Sequence, residues 1–298
     1  MPLPIGEDSG AAVSHLALDD RRQCLIVAAG QRIAALDRQG ERLLWARELP
    51  GEVGAVEVDA ETGIVYALLP AQGALYAFDS DGRPRFRLED LGRPVGLAIG
   101  GDRAYLADAV EKRLLALWLK DGTIDESRPL PAAPQALALD APRGLLYAGL
   151  MGRGTILALD AATLAPLDEV SLTGLGFPQD LALDDVTQRL YVAHALSPKY
   201  GALTIIDTAT MSIIENRYGD LAEPLYGSDA LCLDADGKML YLGLFGSVAR
   251  LDAQHLAMHK LSLGERVAVH SLALSRDGAL YIGSDGRLLR WQDGDTQR

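Results

Sequence analysis

Cysteine, asparagine and long apolar runs are what this sequence has least of. Cys24 and Cys232 are its two cysteines, and Asn216 is its single asparagine. Two thiols do not make a disulfide framework for a 298-residue chain. Both lie inside apolar strand-like segments, where a free thiol packs as a small hydrophobe. No apolar run reaches the roughly 18 residues that a helix needs to cross a bilayer, so no membrane span is expected. The stretch from Met1 to Ala12 has no basic region followed by an apolar one. No signal peptide is therefore visible, and the expected location is cytoplasmic, or periplasmic or secreted where a leader has been removed. Positive charge is scarce too. Against 41 acidic residues stand 28 Lys and Arg, a net charge of −13. That sign repels phosphate backbones and excludes nucleic acid as an expected partner.

What the chain does have is a repeat. Leu16-Ala17-Leu18-Asp19 returns as Val56-Glu57-Val58-Asp59, Leu97-Ala98-Ile99-Gly100, Leu137-Ala138-Leu139-Asp140, Leu181-Ala182-Leu183-Asp184, Leu231-Cys232-Leu233-Asp234 and Leu272-Ala273-Leu274-Ser275. The steps are 40, 41, 40, 44, 50 and 41 residues. Short alternating strands at a period near 40 residues are the signature of propeller blades. The fourth unit shows the plan of one blade. Gln135 to Asp140, Leu145 to Leu150, Thr155 to Asp160 and Leu167 to Leu172 read as strands a, b, c and d, separated by Pro, Gly and Asp turns. Their side chains are apolar on both faces, as expected of a sheet sandwiched between two others. The predicted fold is all-β: a seven-bladed β-propeller of four-stranded antiparallel blades. It forms a single domain over residues 1–298, with blades at about 11–50, 51–92, 93–132, 133–176, 177–223, 224–265 and 266–298. The last unit has no fourth strand, and residues 2–6 are expected to supply it and close the ring.

Further columns follow the repeat. Tyr66, Tyr105, Tyr147, Tyr191, Tyr241 and Tyr281 occupy strand b, which assigns them to packing between blades. Asp37, Asp79, Asp160, Asp207 and Asp252 end strand c and read as turn residues.

Blades 4 to 6 resemble the YVTN-type propeller repeat. The resemblance runs through Leu181-Ala182-Leu183-Asp184, Arg189-Leu190-Tyr191-Val192-Ala193 and Ile205-Ile206-Asp207-Thr208-Ala209-Thr210-Met211, without the asparagine that ends the family signature. Blade 3 is similar to an NHL repeat, through Arg93-Pro94-Val95-Gly96-Leu97-Ala98 and Tyr105-Leu106-Ala107-Asp108. The resemblance implies a propeller and leaves its activity open, since such propellers serve as scaffolds, dehydrogenase subunits, lactonases and lyases.

In an antiparallel blade, strand a begins and strand b ends on the same rim. Ligands are expected where that rim meets the central channel. His15 and His270 fall there in adjacent blades, with His194 from blade 5, Asp180 and Asp229 from blades 5 and 6, and Gln135 and Gln179 from blades 4 and 5. Asp108 and Asp285 lie at or just past the end of strand b. Tyr226, in the stretched link to blade 6, and Arg153, in the blade 4 loop, belong to the same rim, as does the longer b–c loop around Ser197-Pro198-Lys199-Tyr200. His15, His194 and His270 are a candidate ligand set for a divalent metal. His255 and His259 have the four-residue spacing of a zinc-binding helix, but Leu256 stands where a glutamate is needed. The repeat places this pair at the outer edge of blade 6, where an exposed surface is expected.

The leading expectation is a binding propeller that engages a small molecule or a partner protein at this rim. The alternative is an enzyme at the same rim. Val269-His270-Ser271-Leu272 followed by Tyr281 to Asp285 resembles the terminal blade of the virginiamycin B lyase family. That resemblance implies a metal-assisted lyase with His270 and Asp285 as the catalytic pair; a lactonase or hydrolase is the weaker form. A scaffold chain of an electron-transfer dehydrogenase is a third reading, and no haem attachment motif accompanies it. The closure expectation is tested by deleting residues 1–10, which should lower Tm markedly. A truncated protein that melts like the parent would rule it out.

Overall fold

The computed structural model describes residues 12–172, 176–197, 200–218, 230–234, 236–253, 257–263 and 267–292. Six antiparallel sheets of four strands, ordered a-b-c-d in sequence, and one of three, ordered a-b-c, make up the described chain. The innermost strands are Val13–Asp19, Ala55–Val58, Pro94–Gly100, Pro134–Asp140, Phe177–Asp184, Ala230–Leu233 and Val269–Leu274. The seventh sheet consists of Val269–Leu274, Leu280–Ser284 and Arg287–Trp291. The strand expected from residues 2–6 lies outside the described residues. This is the predicted seven-bladed propeller, and among the described residues its helical content is two short 3₁₀ turns, Pro70–Gln72 and Ala141–Arg143.

Closure is visible in the packing. Seven apolar clusters each span one pair of neighbouring blades. One of them joins Leu25, Val27 and Leu36 of blade 1 to Ala273 and Tyr281 of blade 7, so the two ends of the ring meet across a packed core. The strand b tyrosines do what their column predicts. Tyr66, Tyr147, Tyr191 and Tyr281 are fully buried. Tyr191 donates from its hydroxyl to the Ala253 carbonyl of the next blade at 3.4 Å, and Tyr281 donates to the Arg38 carbonyl across the junction of blades 7 and 1. All four rings contribute apolar area to an interface, and Tyr191 and Tyr281 also tie a polar tip to the backbone beyond it.

The turn aspartates behave as read. Asp37 accepts from the backbone N–H of Glu41 and Arg42, and Asp160 from that of Thr163. The aspartates that end strand a do the same, and Asp19, Asp140 and Asp184 are buried while doing so. His259 lies exposed on the outer strand of blade 6, as expected for a surface edge, and His255 lies outside the described residues. Cys24 and Cys232 are free thiols.

One irregularity recurs and bears on the site. In blades 1, 3, 4, 5 and 7, strand a carries a β-bulge within its first residues. Ser14, Val95, Gln179 and His270 are the extra residues in four of them, and the slip in blade 4 falls beside Gln135. Such bulges re-aim a side chain and end regular pairing, and they favour rims and binding sites. Immediately after the bulge the backbones of neighbouring blades crowd together. A Cβ on Gly96 would lie 2.3 Å from the Gln135 carbonyl oxygen of the next blade, so only glycine fits there.

Asp108, a candidate rim residue by sequence, belongs to this framework. It is fully buried and accepts from the backbone N–H of Arg93 at 2.9 Å and from Val110 and Glu111 at 3.2 Å. Arg113 Nε donates to its other oxygen at 3.0 Å. Asp108→Ala would strand these donors, at a cost of about 3 kcal/mol. Thermal unfolding should show a Tm drop of roughly 5 °C or more, and an unchanged Tm would contradict the role.

Candidate functional site

The inner strands enclose a central channel of about 390 Å³, to which all seven blades contribute. Its wall is mostly backbone and small side chains, set with a few larger polar groups. Of the rim candidates, His15, Gln135, Gln179, Asp180 and His270 line it. Among the described lining residues there is no Lys and no Arg.

Asp180 is held on both oxygens. The backbone N–H of Leu181 donates to Oδ1 at 2.9 Å, and that of Leu231 in the next blade donates to Oδ2 at 2.8 Å. Burial pushes its carboxyl up to about 6, and the two N–H donors counter part of that rise. Ser271 makes the equivalent bond one interface further round. Its Oγ accepts from the Leu16 backbone N–H at 2.9 Å and ties blade 7 to blade 1.

Glu57 also lines the channel, and the rim columns missed it. The signal lay inside the repeat motif itself. Its second position reads Ala17, Glu57, Ala98, Ala138, Ala182, Cys232 and Ala273, so one carboxylate replaces a methyl group. Burial, followed by the charge of Asp180, raises the Glu57 carboxyl to about 7. Blades 2 and 5 are not neighbours, so this electrostatic contact runs across the channel. Cys232 sits behind Asp180, and burial with the nearby Asp180 and Asp234 charges raises its thiol well above the usual range. It is no nucleophile at neutral pH.

His15 is pushed down to about 4, by burial first and by His270 second. Its Nδ1 is buried without a hydrogen-bond partner. His270 reaches toward solvent, and its Nε2 lies 2.7 Å from Asp285 Oδ1. Asp285 also accepts from the Ala268 N–H at 3.2 Å, and these two bonds hold its carboxyl below the usual range.

The other candidates part company with this group. His194 does not reach the channel. Strand b of blade 5 runs on to Ser197, which leaves position 194 inside the sheet. There the ring is fully buried, with Nε2 2.8 Å from Thr204 Oγ1 of strand c. His15, His194 and His270 are therefore not assembled as one metal ligand set. Among the described residues no three His, Cys, Asp or Glu side chains are grouped to hold a metal ion. Arg153 lies exposed in the b–c turn of blade 4, away from the channel lining. Asp229 and Tyr226 lie outside the described residues. No helix among those described is long and apolar enough to cross a membrane.

The ring of seven sheets around a polar central channel defines a β-propeller. Residues 6–162, more than half of the chain, match the family described as outer membrane protein assembly factor BamB, and the chain belongs to that family. No curated protein sequence matches the chain. Among solved structures it is similar to the hydrazine synthase of Kuenenia stuttgartiensis, with TM-score 0.82 and 14% identity over 95% of this chain and 96% of that one. It is also similar to the Cps50 (Swd1) β-propeller domain of Myceliophteria thermophila, with TM-score 0.79 and 12% identity over 94% and 97%. The WD40 β-propeller domain of Doa1 aligns with TM-score 0.77 and 12% identity over 97% and 94%. At these identities the likeness is one of fold.

The Glu57 carboxyl gives a pH test. The folded state binds its proton more tightly than the unfolded chain does. Its contribution to stability is full below about pH 4.5 and is lost as pH rises to about 7. The Tm of Glu57→Gln should therefore gain on the parent across that window and level off above it. A gap that stays constant with pH would show that Glu57 is not titrating there.

Proposed function

We propose that this protein is a non-catalytic binding propeller that engages a ligand or a partner protein at the mouth of its central channel. The observation that carries the reading is the bulge-borne placement of Gln135, Gln179 and His270 on the channel wall, beside Asp180 and His15. Polar groups displaced from regular pairing into one concave space are what a recognition site requires. The tyrosine and aspartate columns that the repeat places in register are accounted for by packing and turns. Membership of a family named for an assembly factor, and the likeness to WD40 propeller domains, support a scaffold role.

A second reading draws on the 2.7 Å contact between His270 and Asp285. A carboxylate that orients an imidazole at a channel mouth is the geometry of an acid–base pair. It fits the alternative of a metal-assisted lyase, or a lactonase or hydrolase, at the same rim.

The two readings are separated with a panel of tripeptides and small polar metabolites, scored by the rise in Tm. A ligand at 100 times its Kd stabilises the fold by about 2.7 kcal/mol. Hits should vanish in Gln135→Trp, which fills the mouth, and should be recovered chemically unchanged. Hits that shift the Trp variant as strongly as the parent would remove the mouth as the binding face. A hit consumed by the parent and left intact by His270→Ala would select the enzyme.

A further inference from the structure

We infer that the channel is a receptor for an organic cation, an ammonium or guanidinium group held between the carboxylates of Glu57 and Asp180. This deepens the proposed function and rests on the mouth being the binding face.

Three independent observations converge on it. The first is charge. Glu57 and Asp180 approach the channel from blades 2 and 5, so their carboxylates address a shared space from separate walls. Among the described lining residues nothing positive offsets them, for the lining includes no Lys or Arg. Two acidic groups brought together in a protein interior normally meet a cation or give up a charge. Burial raises both carboxyls, and the Asp180 charge raises Glu57 further.

The second is the state of His15. Its buried Nδ1 has no partner, and the ring belongs to the same cavity. Because burial keeps the imidazole neutral near neutral pH, one ring nitrogen is left as an acceptor. In the tautomer protonated on Nε2 that acceptor is the unpartnered Nδ1, which is costly until an N–H arrives. Neutral histidine, glutamine carbonyl and carboxylate share one property: each accepts from N–H. An anion entering this space would meet two negative groups and no fixed cation.

The third is shape. The cavity holds about 390 Å³, far more than a bare metal ion fills. Metal–oxygen ligation needs donors converging to about 2.0–2.6 Å from one point, and no such group of three exists among the described residues. A nitrogen cation on a carbon stem fits donors spread over separate walls. Asp180 is pre-organised for it, since two backbone N–H groups fix the carboxylate before any ligand arrives. Such a cation can come from a free amine or from a Lys or Arg side chain projected by a partner protein.

The experiment is titration calorimetry on the full chain at pH 8 with two probes. One is 1,5-diaminopentane, and the other is the peptide acetyl-Ala-Arg-Ala-amide. Their neutral counterparts are 1,5-pentanediol and acetyl-Ala-Gln-Ala-amide. At least one cation should bind with near one-to-one stoichiometry and at least tenfold more tightly than its neutral counterpart. The diamine alone marks a small-molecule site, and the peptide alone marks a site for a partner's side chain. Glu57→Gln should weaken binding at least tenfold. Asp180→Asn should do the same, but Asp180 also accepts the Leu231 N–H, so Glu57→Gln is the decisive variant and its Tm serves as the folding control. Lowering the pH from 8 to 5 should weaken binding as Glu57 and Asp180 take up protons. The titratable groups facing them are His15 and His270 in the channel, Asp285 beside His270, and Cys232 with Asp234 behind Asp180. No binding of either cation at millimolar concentration overturns the inference, as does equal binding of the neutral counterparts. Binding abolished by Gln135→Trp yet indifferent to Glu57→Gln overturns the cation assignment alone. Binding untouched by Gln135→Trp overturns the mouth reading itself.

Discussion

Every blade of this protein must be covered on both faces, and the rest of the structure follows from that constraint. The strands carry apolar side chains above and below, so no sheet is stable without two neighbours. Only a closed ring supplies two neighbours to all seven sheets. The cluster joining Leu25, Val27 and Leu36 to Ala273 and Tyr281 completes it. The hydrogen bond from the Leu16 N–H to Ser271 Oγ fastens the same seam with a polar contact between residues 255 positions apart. Seven interfaces of similar make-up leave no single core, and stability is spread around the circle.

Closure also creates the channel and dictates what lines it. Inner strands converge on the axis, where space allows small side chains and backbone. Crowding is severe enough to require glycine at position 96, against the Gln135 carbonyl. A large polar group is accommodated there by a bulge, as with Gln179 and His270, or by replacing a small residue within the motif, as with Glu57. The polar character of the site is therefore a set of departures from a packing rule. The same burial that makes the ring stable pushes Glu57 and Asp180 up and His15 down. Coverage and site chemistry have one cause.

Much of this was legible in the chain. The spacing of the Leu-Ala-Leu-Asp motif located all seven inner strands, because turn lengths between short strands vary little around a ring. The tyrosine and aspartate columns were read correctly as packing and turns, since a property shared by most blades reflects what blades share. Departures from a column pointed to the channel for His15, Gln135, Gln179, Asp180 and His270. Glu57 escaped because its motif was recognised through the flanking valines, and the odd residue between them was absorbed into the pattern. His194 was misplaced for a different reason. Strand b of blade 5 continues to Ser197, and hydrophobic alternation does not reveal where a strand outgrows its siblings. Which carboxylates face one another across the axis depends on angles around the ring, and a linear repeat does not encode them.

The bulge near the start of strand a has a meaning beyond geometry. In the five blades that carry it, the bulge takes a residue out of the hydrogen-bonded ladder, so the identity of that residue is uncoupled from the register of its sheet. Val95, Gln179 and His270 occupy such positions with side chains of different size and polarity, on sheets that otherwise match. Substitution there leaves the strand pairing intact. Selectivity in such a ring can be rewritten one blade at a time during divergence, with each change nearly neutral for folding. Duplicated copies of such a chain could acquire new ligands without first acquiring new architecture.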